Sequence, residues 1–569
     1  MGAAGNLLVR GGTLVDGRGS TPVHADVRVR DGWIVEVGAG LEPEGERELD
    51  ATGAYVTPGF IDAHTHVDPS IFWDPGCDPL PLHGVTTVVT GNCSLSLAPL
   101  RDETRDQVID LFCFIEDMPV EAFERGIPWS WSDWQGYRKA IDVEGAGVHI
   151  APLVGHSILR LDVLGGVAFD RVSTPEERDA LAQRLRECLE AGAFGFSTSF
   201  QDTDRRGRPV PSRKADDEEF MALAEVLREA GRGVIEFVPH FDQPEKQIAD
   251  IERIHRISQA AGVPGTWTQL AWGDLNDAQI QPLLEQAART QAEGPGVFPQ
   301  VSPRPFDVVL DLMGTAFFMF QRNWHEVLQC EPASRRLRLA DEEWRAAARE
   351  EWDSVGFSIF PIDRLDKVRL TRVAKPEQER FLGATLADLV KERGGHASDV
   401  LADWVIENDL DPGLMLLGLA NDDPEKVSDL LHHSSTVVGA SDAGAHVHGL
   451  CGAGDTTLLL ETHVRERGDL SIEAAVAAMT SDVAKLFGIR DRGIVAPGYA
   501  GDLAVFDLAE VHYEGDEFVN DLPDGSGRLR RSGSGFRATI VSGTPTQLSG
   551  TATGEHPGRC LDPQSLPRD

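Results

Sequence analysis

Phe60-Ile-Asp-Ala-His-Thr-His-Val-Asp68 follows the turn Pro58-Gly59 and reads as a strand that ends in two histidines. Strand side chains repeat every two residues, so His64 and His66 point to one side. Two imidazoles aimed into one space make half of a metal site. An H-x-H pair is equally an ordinary strand end, so the rest of the chain must supply further ligands.

Working outward, strand and helix signals alternate between the two chain ends, the pattern of a parallel sheet with helical crossovers. Eight strands are expected at Phe60–Val67, Val85–Cys93, Val148–His156, Ala193–Phe200, Val234–Phe241, Gly265–Trp272, Val297–Arg304 and Thr436–His446. Helices are expected at Pro175–Ala191, Asp216–Ala230, Gln247–Ala261 and Asp277–Ala292. Eight such units close into a (β/α)8 barrel of the TIM type, here spanning about residues 59–485. Both ends, 1–58 and 486–569, carry short strands between Gly-rich turns and are expected to share one small β-sandwich, since neither alone can bury a core. The segment Phe306–Ser435 is too long for a loop and is expected to be a helical insertion at the carboxyl-end face, where barrel enzymes place lids. Trp129, Trp131 and Trp134 are candidates to line the same mouth, against the simpler reading of aromatic packing.

Composition limits the function classes. A hydrophobic content of 41% with 25% charged residues is that of a soluble globular protein, and no stretch is apolar for long enough to cross a bilayer. The formal net charge of -39 opposes binding to nucleic acid or anionic membrane, leaving a small-molecule substrate as the expected partner. The seven cysteines form no spaced disulfide framework, and the N-terminus lacks the charged-then-apolar order of a signal peptide, so a cytoplasmic location is expected. A homo-oligomer is compatible with all of this.

The residues chosen as metal ligands sit at the ends of different expected strands: His64 and His66 on the first, Cys93 on the second, His240 on the fifth and Asp442 on the eighth. Barrel active sites are built at that face from several strand ends, so these separate signals reinforce one another. Cys93 alone is a common buried thiol; beside two histidines it becomes a thiolate ligand. Asp442, in Gly439-Ala-Ser-Asp-Ala-Gly-Ala-His446, ends an apolar run. A carboxylate there can hold a metal with one oxygen and take a proton from metal-activated water with the other, which points to hydrolysis.

With Pro58-Gly-Phe-Ile-Asp-Ala-His-Thr-His66 inside a split sandwich, the chain resembles the amidohydrolase superfamily. Through Gly91-Asn-Cys-Ser-Leu-Ser-Leu-Ala-Pro99, Val154-Gly-His-Ser157, Gly192-Ala-Phe-Gly-Phe-Ser-Thr198 and Asp491-Arg-Gly-Ile-Val-Ala-Pro-Gly498 it is most similar to the N-acyl-D-amino-acid deacylases, or D-aminoacylases. The resemblance implies zinc at His64, His66, Cys93, His240 and Asp442, with Asp442 also the catalytic acid and base. That family uses the strand-two cysteine where other amidohydrolases use a carboxylated lysine, and Ala193–Phe200 has no lysine. It departs at strand six, where Gln269 stands in place of a histidine. One dominant zinc site is therefore expected, with the second weak or empty. The lysine and arginine that grip the substrate carboxylate are also missing, Ala271 standing at the first position and no arginine or lysine lying between Val447 and Asp455. Arg160 and Arg304, with His156 and Gln269, are the candidate substrate contacts. The expected activity is zinc-dependent hydrolysis of the amide of an N-acyl amino-acid-like or cyclic amide substrate. The alternatives are ester or lactone hydrolysis on the same barrel, or a non-catalytic binding or assembly homologue.

Overall fold

The computed structural model describes residues 5–241, 243–273, 277–310, 318, 320–356, 358 and 360–568. Its centre is a ring of eight parallel strands in chain order. Phe60–Asp62, Val85–Thr90 and His149–Pro152 pair in parallel. The third strand continues past Leu153 as Val154–Gly155 and pairs with Gly195–Ser199, followed by Val234–Val238, Gly265–Trp267, Val297–Val301 and Val437–Val438. The seam between the eighth and first strands is closed by a parallel bridge from Thr65 to Ala443. The His66 N–H donates to Ala443 O at 2.7 Å, and the Asp442 N–H to His64 O at 3.1 Å. Strands such as Val85-Thr-Thr-Val-Val-Thr90 are buried on both faces, which is why they read as continuous β-branched runs.

The expected strands exist, but most are shorter, and the shortening positions the site. The fifth ends at Val238 because Pro239 has no N–H to continue the ladder. The sixth stops at Trp267. His156 does not end the third strand; it opens the helix His156–Leu164. Beyond Val438 the chain turns repeatedly, with Ala440, Asp442 and His446 at φ of 62°, 62° and 50°. Crossover helices follow the expected bounds closely: Pro175–Glu190, Asp217–Ala230, Pro244–Ala261 and Asp277–Ala292. The first starts at a capping box, Thr174 and Glu177 satisfying each other's backbone N–H groups, with Pro175 in the first turn.

Strands from both chain ends join one nine-stranded sheet, where Leu503–Phe506 pairs antiparallel with Tyr55–Pro58. Leu7, Val27, Val56, Leu503, Val505 and Ile540 form its core. A hairpin absent from the sequence reading, His512–Val519 with Arg528–Ser534, leaves this region. It reaches the loop beyond Asp442, the Leu529 N–H donating to Val447 O at 2.7 Å.

The 306–435 segment carries the expected helices, including Arg322–Leu328, Glu342–Ser354 and Ala397–Glu407, around its own core of Trp324, Leu370, Leu401 and Trp404. It also contains an unexpected antiparallel sheet of Val308–Leu310, Gly413–Leu416 and Val368–Arg372. It is tied to the barrel rim by hydrogen bonds that include Val309 N–H to Gly449 O at 2.6 Å, Trp272 N–H to Asn421 Oδ1 at 2.9 Å and Asn421 Nδ2 to Ser302 O at 2.9 Å.

Candidate metal centre and active site

His64 and His66 lie just past the first strand, and their Nε2 atoms are 3.3 Å apart. Cys93 Sγ is 3.3 Å from His64 Nε2. Asp442 Oδ1 is 3.3 Å from His66 Nε2 and 3.9 Å from His64 Nε2. Both imidazoles are fully buried, while Cys93 and Asp442 keep an open side. Cys93 (φ 54°) and Asp442 (φ 62°) both adopt left-handed backbone, which costs a non-glycine residue energy that the surroundings must supply. At Cys93 the N–H donates to Glu236 Oε2 at 3.0 Å, and the Asn92 amide clamps Thr65 O and Val89 O, each at 3.1 Å. At Asp442 the neighbouring Ser441 Oγ donates to His64 O at 3.2 Å.

The electrostatics are those of a site built around a positive charge. Burial, with Glu236 and Glu116 beside it, pushes the Cys93 thiol far up. Burial likewise raises Glu116 and Glu236 to about 8 each. Burial and the neighbouring His66 lower His64 to about 3. Burial opposes protonation of His66, but Glu116 and Asp442 outweigh it and raise that imidazole to about 9. Burial would raise Asp442 too, yet its hydrogen bond and charge pairing with His66, then His446 and His64, hold the carboxylate well below its usual range. Glu116 Oε1, Glu236 Oε1 and His66 Nδ1 are buried without a hydrogen bond. Two groups, His64 with His66 and Cys93, and His66 with Glu116 and Asp442, bring their ligand atoms within 4.8 Å of one another. Two nitrogens, a sulfur and carboxylate oxygens fit a borderline-soft divalent cation, whose charge would offset the crowded acids.

Of the residues singled out in the sequence, His64, His66, Cys93 and Asp442 converge; the others do not. His240 belongs to neither group: its Nδ1 is 2.8 Å from Asp250 Oδ2 on the following helix, and it lines a neighbouring cleft with Gln201 and His325. Strand five ends too early for His240 to be an inward strand position. Arg160 is buried and pairs with Glu219 while donating to Arg171 O at 2.8 Å, so it is no substrate contact. His156 Nε2 meets the same Glu219 at 2.7 Å and is equally buried. Arg304 donates to Ser441 O at 2.8 Å and Cys451 O at 3.0 Å and pairs with Asp455 at 3.2 Å, so it braces the Asp442 loop from behind. Gln269 leaves its Oε1 buried and unbonded, while its neighbour Thr268 meets His64 Nδ1 through Oγ1 at 2.6 Å. Trp131 stacks on Phe72 at 5.0 Å and donates to Leu97 O, and Trp134 is buried beside Tyr137, so these two rings are core. Trp129, half-buried, packs 6.0 Å from Trp131.

Glu116, Glu236 and Thr268 were missed. The signal for Glu236 was visible: a lone acid inside the apolar strand Val234-Ile-Glu-Phe-Val238, every position of it buried. Glu116 follows the apolar run Leu111-Phe-Cys-Phe-Ile115, where an acid reads as a helix end.

A parallel (β/α)8 barrel with histidine, cysteine and carboxylate donors gathered at its carboxyl-end rim defines a metal-dependent hydrolase. Residues 47–547 match the model of the amidohydrolase family, and the chain belongs to that family. An uncharacterised protein of Mycobacterium tuberculosis is 31% identical over 573 residues, covering 96% of this chain and 91% of its own length. The N-acyl-D-aspartate deacylase of Alcaligenes xylosoxydans xylosoxydans is 28% identical, covering 99% of this chain and 96% of the relative. Among solved structures, a D-aminoacylase described as having a binuclear metal centre aligns with a TM-score of 0.68 at 26% identity, over 98% of this chain and 99% of that one.

Proposed function

We propose that this protein is a zinc-dependent hydrolase that cleaves the amide C–N bond of an N-acyl amino-acid-like or cyclic amide substrate. The observation that carries this is the convergence of His64, His66, Cys93 and Asp442 at the seam between the eighth and first strands. His64, His66 and Cys93 would hold one dominant ion, with Asp442 beside it in the group it forms with His66 and Glu116, and His240, turned to Asp250, adds a donor to neither. Bound there, the cation would polarise the substrate carbonyl and lower the pKa of the attacking water.

The chain's own groups supply the rest. Asp442, ionised and open on one side, takes the proton of the attacking water and returns it to the leaving nitrogen. Its Oδ2 lies 3.9 Å from His446 Nε2, which steadies the carboxylate on the side away from His66. Thr268 fixes the edge of His64 that faces away from the cluster. The deacylase relatives named above favour amide over ester or lactone bonds. They equally favour an enzyme over a binding homologue.

The seven cysteines are scattered without a spaced disulfide framework, which supports a cytoplasmic location, and the charge of -39 supports a small-molecule partner over nucleic acid. Among the described residues no helix is long and apolar enough to cross a membrane. The test is elemental analysis of purified protein with a screen of N-acyl-D- and N-acyl-L-amino acids, their amides, and cyclic amides. About one zinc per chain with turnover of an amide is expected. Two tightly bound ions, or turnover of esters alone, would overturn the reading.

A further inference from the structure

A turn built from strained, non-glycine residues persists only where its surroundings hold it, so the groups that hold it show what it is kept for. The turn Gly91-Asn-Cys-Ser94, which follows strand two, has two successive residues in the left-handed region, Cys93 at φ 54° and Ser94 at 69°. Their N–H groups are taken by side chains of two other strands. The Cys93 N–H donates to Glu236 Oε2 and the Ser94 N–H to Ser197 Oγ, each at 3.0 Å. Ser197 Oγ in turn donates to Gly91 O at 2.5 Å. Ser197 and Glu236 are direct partners in the parallel pairing of strands four and five, and both are fully buried. Paired residues project to the same face of a sheet, so the two acceptors stand side by side.

We propose that Ser197 and Glu236 are positioning residues of the metal centre: they accept the successive N–H groups of Ser94 and Cys93 and thereby aim the Cys93 thiol at the cation. With its backbone held in this way, Cys93 places Sγ 3.3 Å from His64 Nε2. A Cys93 relaxed to extended backbone would carry its Cβ, and Sγ with it, in another direction. Glu236 belongs to neither group of converging donors. Its second oxygen, Oε1, is unbonded and lies 3.9 Å from His64 Nδ1, an edge that Thr268 Oγ1 occupies at 2.6 Å. Glu236 therefore acts on the centre through the Cys93 amide and not as a ligand. What the amide needs is an acceptor oxygen, which a carboxamide supplies as well as a carboxyl group. The same bond accounts for a lone acid inside Val234-Ile-Glu-Phe-Val238: a buried carboxyl group is costly unless hydrogen-bonded, and the thiol-bearing turn provides its donor.

The inference rests on Cys93 being a metal ligand, and the experiment separates the two. Full-length wild type, Cys93→Ala, Glu236→Ala, Glu236→Gln and Ser197→Ala are compared by chelator competition for zinc and by the near-ultraviolet sulfur-to-metal charge-transfer band of the cobalt-substituted protein. The band reports the thiolate–metal bond itself, which a merely structural change would leave in place. Glu236→Ala should weaken zinc binding by roughly 10–100-fold, the range for loss of a group that orients a ligand, and diminish the band. Glu236→Gln keeps the acceptor oxygen and should recover most of both. Circular dichroism of the metal-free variants checks folding, and if Glu236→Ala does not fold, Ser197→Ala decides by the same readouts. In the deciding variant, affinity within about twofold of wild type and an unchanged band would overturn the proposal while leaving the metal centre intact. Glu236→Gln no better than Glu236→Ala would overturn it too, since charge and not the amide bond would then be at work. A wild type without the band, or a band that survives in Cys93→Ala, would overturn the ligand reading and the proposal with it.

Discussion

Asp442 Oδ1 and His66 Nε2 lie 3.3 Å apart across the seam that closes the barrel, while the His66 N–H and Ala443 O hold the two backbones together at 2.7 Å. The same contact that shuts the barrel thus sets the spacing of these two side chains.

Asp442→Asn keeps the shape and one oxygen donor but cannot accept a proton. It should retain most of its zinc and lose turnover by about 10²–10⁴, the usual worth of general base catalysis. Near-normal kcat with full metal would move the base elsewhere, and His446, 3.9 Å from Oδ2, would be next to examine.

Cys93→Ala should lower zinc affinity, because Sγ is 3.3 Å from His64 Nε2 and a thiolate is a strong zinc donor. Cys188→Ala, buried on the crossover helix Pro175–Glu190, removes a thiol remote from the cluster and should leave affinity unchanged. Equal effects in a chelator titration would show that Cys93 acts through packing alone.

Glu219, buried among His156, Arg160 and Ser173, should make folding stability acid-sensitive. Burial alone would raise its carboxyl, but the hydrogen bond and charge of His156, with Arg160, outweigh it and hold it at about 2. A depressed carboxylate stabilises the fold above its unfolded value near 4.3 and loses that contribution as pH falls toward about 2. The amount is on the order of 3 kcal/mol. In thermal melts the gap between wild type and Glu219→Gln should therefore be wide at pH 6 and shrink on approach to pH 2. A gap independent of pH would mean that Glu219 is not ionised in the folded protein.

Simple N-acetyl-D-amino acids should be poor substrates compared with their uncharged amides or esters. Each charge-assisted hydrogen bond to a carboxylate is worth roughly 1.5–3 kcal/mol. Arg160 and Arg304, the arginines considered as replacement anchors, are both buried and engaged inside the protein. A kinetic comparison of N-acetyl-D-methionine with its amide tests this. A kcat/KM for the free acid above about 10⁴ M⁻¹s⁻¹, and above that of the amide, would show that another residue grips the carboxylate.

The sequence by itself determined the barrel, the pairing of both chain ends in one β-region, and the nearness of His64, His66, Cys93 and Asp442 at one rim. These are legible because period-two and helical patterns are local, and because candidate ligands at strand ends stand beside the strands that carry them. Tertiary structure alone decided what the remaining polar residues do. His240 and Asp250 are ten positions apart, Arg160 and Glu219 fifty-nine, and Arg304 and Cys451 one hundred and forty-seven, so nothing local shows that each partner is already taken. Glu116 became part of the centre only when folding brought the end of its helix against His66 and the loop of Asp442. A buried charge must find its partner in space, and the chain carries no record of that distance until it folds.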